Sequence, residues 1–197
     1  MTFSTPGKLA ALILLVSAPL CAQHGPTAPA APEAPAEAKQ FAFLIGQFEL
    51  KVHPAASGLG QKIHGVPTLA GVWKGWRALD GFGIEDEMRI TDQSGNPISL
   101  VHAVRFYDAV AKRWITSGLD VYRGTFSTSS AMQRPDEMLG TSRGIDGDSK
   151  AYVVRSHFYE ITPTSFRFRQ ERSYDDGRTW EEKIAIEARR MAATAQR

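Results

Sequence analysis

The sequence predicts an all-β domain, an antiparallel up-and-down barrel of about ten strands with a short helical turn at its start. Three observations lead there. From Gly71 onward, short runs rich in Val, Ile, Phe, Tyr, Trp and Thr alternate with tight-turn sequences. No amphipathic pattern of four helical turns occurs anywhere in the 197 residues. Strands joined by such short links pair as antiparallel hairpins, and ten of them must stack as a sandwich or close on themselves. Closure removes the exposed edges, so a barrel is the expected form.

The chain opens "MTFSTPGKLAALILLVSAPLCAQ". One early cation, Lys8, precedes an apolar run and then small residues, which is the grammar of a signal peptide spanning 1–22. The run is too short for a transmembrane segment. Leu20 is large for the position before a lipid-anchored cysteine, which makes Cys21 the weaker, lipoprotein alternative. The expectation is an exported protein, periplasmic or secreted. Cys21 is the single cysteine, so a cleaved chain would have no disulfide and no thiolate chemistry. Residues 23–39 are nearly all Ala, Pro and Glu and are expected to form a disordered linker.

The barrel domain is expected over 40–190, with a flexible tail at 191–197. Phe41, Leu44 and Ile45 are spaced for one helical turn, which Gly46 ends. "QFELKVH" then alternates like a strand, and residues 54–70 read as loop. The remaining strands are expected at 71–79, 83–90, 98–107, 113–122, 124–133, 137–144, 151–161, 165–173 and 179–189. Turn sequences such as "LDGFG", "TDQSGNP", "GIDGDSK" and "DDGR" separate them. A barrel of this size can enclose one small-molecule cavity.

Net charge is +2, with acidic and basic residues interspersed. That leaves no basic stripe of the kind nucleic-acid binding requires. The histidines, His24, His53, His64, His102 and His157, show no metal-ligand spacing, so neither metal nor cofactor is expected.

One motif points elsewhere at first. "SYDDGRTW", Ser173 to Trp180, resembles the Asp box of sialidases and related β-propellers. A propeller repeats such a unit once per blade, and this chain carries it once. The structural reading is a hairpin turn. Ser173 and Asp175 bond the turn's amides, Gly177 supplies positive φ, and Trp180 packs beneath.

In order along the chain, "FAFLIGQFEL", "GFGIEDEMR", "RFYDAVAKRW" with "LDVY", and "FRFRQERSYDDGRTW" resemble exported bacterial lipocalin-like (calycin) barrels of unknown function. The likeness spans residues 41 to about 190. Phe48 replaces that family's usual Trp, and Asp176 replaces the first Gly of its final turn. The resemblance implies a barrel and a cavity, and no particular activity.

Alternation sorts the candidate cavity residues. Phe166 and Phe168 are expected to point inward, carrying Gln170 and Arg172 with them. Ile84, Met88 and Ile90 share a face with Asp86, so that carboxylate needs a cationic partner: Arg105, Arg155 or Arg172. Trp114 and Asp120 share a face. The strand carrying Arg155 and His157 has two mixed faces, so its orientation stays open. The four tryptophans read as core and rim aromatics, and "TFSTSS" as an exposed strand or edge. The expected function is binding of a small apolar or amphiphilic molecule in the barrel. One alternative is an isomerase, cyclase or hydrolase using Asp86 or His157 with an arginine. Another is a haem-binding barrel of the nitrobindin kind with His157 as axial ligand, for which "GVWKGW" is a partial echo. An envelope interaction module without a cavity is the last.

Overall fold

A computed structural model of the chain describes residues 32–56 and 59–192. The expected signal peptide, the first part of the linker and most of the tail lie outside the described residues. The strands are β1 (Gly46–Pro54), β2 (Leu69–Ala78), β3 (Gly83–Thr91), β4 (Pro97–Asp108) and β5 (Arg113–Asp120). They continue with β6 (Thr125–Gln133), β7 (Glu137–Ile145), β8 (Ala151–Tyr159), β9 (Ser165–Ser173) and β10 (Glu181–Arg190). Each pairs antiparallel with its sequence neighbour, and β10 returns to pair with β1, so the barrel is closed. The expected ten-stranded up-and-down topology is the one present.

Two differences arise near the N-terminus. The last linker residues, Ala36–Lys39, form a 3-10 turn that buries Ala38. The segment read as loop between β1 and β2 contains a short helix, α1 (Leu59–His64). At six residues, α1 is too short to leave a periodic signature in the sequence.

Inward positions differ between the two ends of the barrel. At the end where β1 begins, large side chains fill the interior and make a floor. A second 3-10 turn, Ala42–Leu44, lies across it. Phe41 and Leu44 are fully buried there beside Phe48, Trp73, Trp114, Phe158 and Phe166. Phe41 meets Trp114 edge-on at 4.9 Å and Phe158 edge-on at 5.6 Å. Burial of each such ring contributes about 1.5–3 kcal/mol. Gly75 permits the close approach, because a Cβ there would stand 2.3 Å from the Leu44 carbonyl oxygen.

Arg190, at the end of β10, fastens the plug. Its guanidinium lies 4.5 Å over the Phe48 ring. It donates from Nη1 to the Ile45 carbonyl at 2.6 Å and from Nε to the Pro163 carbonyl at 2.8 Å. Trp114 Nε1 donates to Gln40 Oε1 at 2.9 Å. The last strand therefore holds the second 3-10 turn against the floor.

Candidate functional site

Above the floor, the inward positions of β5 to β7 become small or polar, and a cavity of about 600 Å³ opens toward the end where β1 stops. That volume lies in the range of small-molecule sites. The floor presents Phe41, Trp73, Phe158 and Phe168 to the cavity, together with Asp86 and Arg105.

Asp86 is 2% exposed, as its apolar face implied, and its partner is Arg105. Arg105 Nε donates to Asp86 Oδ2 at 2.5 Å and Nη2 to Oδ1 at 3.1 Å. Trp73 Nε1 donates to the same Oδ1 at 2.8 Å, and Arg105 Nη1 reaches Thr116 Oγ1 at 3.4 Å. The guanidinium also stands over the Phe41 ring at 5.2 Å. A bidentate pair with this many further contacts satisfies both buried charges. Its chemical capacity is to hold the floor polar yet neutral.

The structure divides the sequence-derived candidates into three groups. Asp86, Arg105, Asp120, Phe168, Gln170 and Arg172 line the cavity. Trp114 and Phe166 are buried in the packed floor beneath it. Arg155 and His157 do not reach the cavity, which corrects the expectation that they line it. The inward face of β8 is Tyr152, Val154, Ser156 and Phe158. Both faces of that strand are partly covered, so polarity alone could not orient it.

On the outer face, His157 is 8% exposed. Its Nδ1 lies 2.6 Å from Glu137 Oε2 and its Nε2 3.2 Å from Glu171 Oε2. Arg155 Nε donates to Glu171 Oε2 and its guanidinium covers the Trp180 ring at 4.2 Å. The hydrogen bond from Arg155 holds the Glu171 carboxyl below the usual carboxylate range. Axial ligation of an interior haem by His157 is incompatible with this outward placement. Among the described residues, no group of three or more His, Cys, Asp or Glu side chains is arranged to hold a metal ion. No helix among them is long and apolar enough to cross a membrane.

The Asp-box-like segment joins β9 to β10 at the mouth end. Asp175 Oδ1 accepts from the amides of Arg178 and Thr179 at 3.1 and 2.9 Å. Its Oδ2 accepts from the Thr179 hydroxyl at 2.7 Å. These bonds, led by the Thr179 amide, hold the Asp175 carboxyl far below its ordinary range. Ser173 Oγ donates to Asp175 Oδ1 at 2.7 Å and accepts from the Gly177 amide at 2.7 Å. Asp176 and Gly177 are both left-handed, with φ of 57° and 89°. Asp tolerates that conformation, which explains how it stands where the lipocalin-like pattern has Gly. Trp180 Nε1 donates to the Gly177 carbonyl at 3.0 Å.

The residues missed in the sequence are the small ones. Ser127, Ser129, Ala131, Gly140, Ser142 and Ser156 all face the cavity. Their signal was a period of two in β6, where Ser127, Ser129 and Ala131 alternate with Phe126, Thr128 and Ser130. Phe126, 82% exposed, points outward. A large aromatic outside and small hydroxyls inside reverse the usual pattern, so the strand reads as an edge.

A scan against models of known protein families finds no match for this chain, and a search of curated proteins finds none either. The closed antiparallel barrel is compatible with a lipocalin-like fold.

Proposed function

We propose that this chain is an exported, lipocalin-like carrier that takes a small apolar or amphiphilic molecule into its barrel. The observation that carries the reading is the contrast along the barrel axis. One end is filled by interlocked aromatic rings, while the other leaves about 600 Å³ where Gly118, Ser127, Ser129, Ala131, Gly140 and Ser142 on β5 to β7 keep the wall thin. A barrel needing only a core would fill those positions with larger side chains, since interiors pack to crystal density. Trp73 and Met88 lie close enough to the space to report on an occupant.

The test is native mass spectrometry and organic extraction of protein purified from the periplasm, beside titration with the uncharged dye 1-aminoanthracene. A co-purified small molecule, or saturable dye uptake that quenches Trp73, is the expected result. An empty barrel that excludes the dye would overturn the reading.

The enzyme alternative has a weaker basis. Asp86 is engaged by Arg105 and Trp73 through both carboxylate oxygens, which favours a structural ion pair over a group presented to a substrate.

A further inference from the structure

The cavity wall is not uniform around the barrel. On β10 and β2 to β4, the lining includes Leu69, Met88, Ile90, Val101 and Ile184. On β5 to β9 it adds hydroxyls and an amide, from Thr116, Ser127, Ser129, Ser142, Ser156 and Gln170, beside Tyr152, Val154 and the floor rings Phe158 and Phe168. Strand pairing orders part of this second wall. Thr116 is opposite Ser129, Ser129 opposite Ser142, Ser142 opposite Val154, and Val154 opposite Arg172. A row of inward hydroxyls therefore crosses three adjacent strands toward a guanidinium.

These groups have bonding capacity to spare. The hydroxyls of Ser127, Ser129 and Ser142 make no hydrogen bond to another described residue. Arg172 stacks its guanidinium 3.8 Å over the Tyr152 ring and donates from Nη1 to the Tyr174 hydroxyl at 3.1 Å. Its Nε is buried and has no hydrogen-bond partner among the described residues. No carboxylate among them forms an ion pair with it. Arg143 at the cavity rim also has no carboxylate partner among the described residues, but it is exposed to solvent. The remaining cations on the wall are paired. Arg105 is paired with Asp86, Arg123 with Asp120 and Lys183 with Glu181. Asp146 feels the Arg172 charge only at longer range, across the Tyr174 hydroxyl that both side chains contact. Arg172 thus stands on the cavity wall with one donor unmet and no carboxylate in direct contact, an arrangement that favours an acidic group on the occupant.

We infer that the occupant is a facially amphiphilic anion: an apolar body, hydroxylated along one side, ending in a carboxylate. Its apolar side lies on the β10 and β2–β4 wall, its hydroxyls on the serine wall, and its carboxylate on Arg172. This rests on the binding function proposed above and specifies its ligand class. The length available fits a compact molecule. From Tyr152 to Phe158 the inward face of β8 runs about 20 Å along the strand, or about 15 Å along the axis at the usual barrel tilt.

Four probes test this: cholate, which has hydroxyls on one face and a carboxylate; methyl cholate, which lacks the charge; dodecanoate, which lacks the hydroxyl face; and dodecanol, which lacks both. Affinities come from displacement of 1-aminoanthracene and from calorimetry on the folded barrel. Cholate is expected to bind about tenfold or more tightly than each of the others, because a site built to hydrogen-bond a ligand rejects analogues without those groups. In the triple variant Ser127→Ala, Ser129→Ala, Ser142→Ala, the preference for cholate over dodecanoate should collapse. In Arg172→Gln, the preference for cholate over its methyl ester should collapse, while Arg172→Lys should retain much of it. Circular dichroism establishes that each variant is folded. If dodecanoate or dodecanol binds the wild type as well as cholate, the ligand class is wrong although uptake stands. Unchanged preferences in the folded variants would overturn the roles of the serines and Arg172. If neither the dye nor any probe binds, the carrier reading itself fails and takes this inference with it.

Discussion

The buried pair at the cavity floor illustrates how one carboxylate constrains its surroundings. Asp86 sits at 2% exposure among apolar neighbours, which is tolerable only because Arg105 and Trp73 meet its oxygens. Replacing Arg105 by Met should therefore destabilise the barrel by about 3–5 kcal/mol, since the acid would remain buried without a countercharge. Replacing both, with Asp86→Leu, should recover most of that loss; urea titration of the four members of the cycle measures the coupling. Asp175 acts differently. It is a surface side chain whose bonds to Arg178, Thr179 and Ser173 define a turn. Asp175→Ala should lower the melting temperature by several degrees, read by calorimetry, while dye uptake persists because no atom of Asp175 lines the cavity. Asp86 was legible in the sequence because its neighbours at two-residue spacing are Ile84, Met88 and Ile90. Its partner was not, since three arginines were available and only the strand register selects Arg105, which sits opposite Ile84 and so one inward position along from Asp86.

Among the elements, β8 and β9 carry different chemistry on their two faces. Inside they offer Ser156, Gln170 and Arg172 to the cavity. Outside they assemble Arg155, His157, Arg169 and Glu171, with Glu137 reaching across from β7 and Trp180 capping Arg155. The folded state lowers the Glu171 carboxyl below its ordinary value of 4.5, chiefly through the Arg155 hydrogen bond. A depressed carboxyl stabilises the fold above that ordinary value and loses the contribution as pH falls through the folded one. The urea midpoint should thus fall below about pH 4.5, and Glu171→Gln should flatten that part of the profile. Strand β9 was readable because Phe166 and Phe168 oppose Arg167 and Arg169. Strand β8 was not, because its outer face is buried by charged partners rather than by water. The N-terminal turn was legible from Phe41 and Leu44, whereas α1 left no pattern within its six residues.

For the whole molecule, the essential distribution is of side-chain volume. The same closed ladder holds a dense aromatic floor and a vacant upper half, and the difference lies in which inward positions are large. Filling the vacancy should separate stability from uptake. Ser129→Leu with Ser142→Leu should reduce dye affinity by about tenfold or more while holding or raising the melting temperature, because buried methylenes stabilise where space exists. Topology was evident from strand count and turn spacing, as local chemistry dictates both. The vacancy was not, because volume inside a barrel is a sum over strands distant in sequence: Ser129 meets Ser142 and Arg105 meets Thr116 only after pairing.

The pairing of β10 with β1 has a temporal consequence. A ribosome delivers β1 early and Glu181–Arg190 late, so throughout synthesis the growing sheet keeps two unpaired margins. The residue that clamps the floor plug, Arg190, is delivered at the end of that same strand. Seam and plug are completed together, and no shorter nascent chain can adopt the finished barrel. A chain lacking that strand stays a sheet with open margins, the form most exposed to capture by chaperones or by another copy.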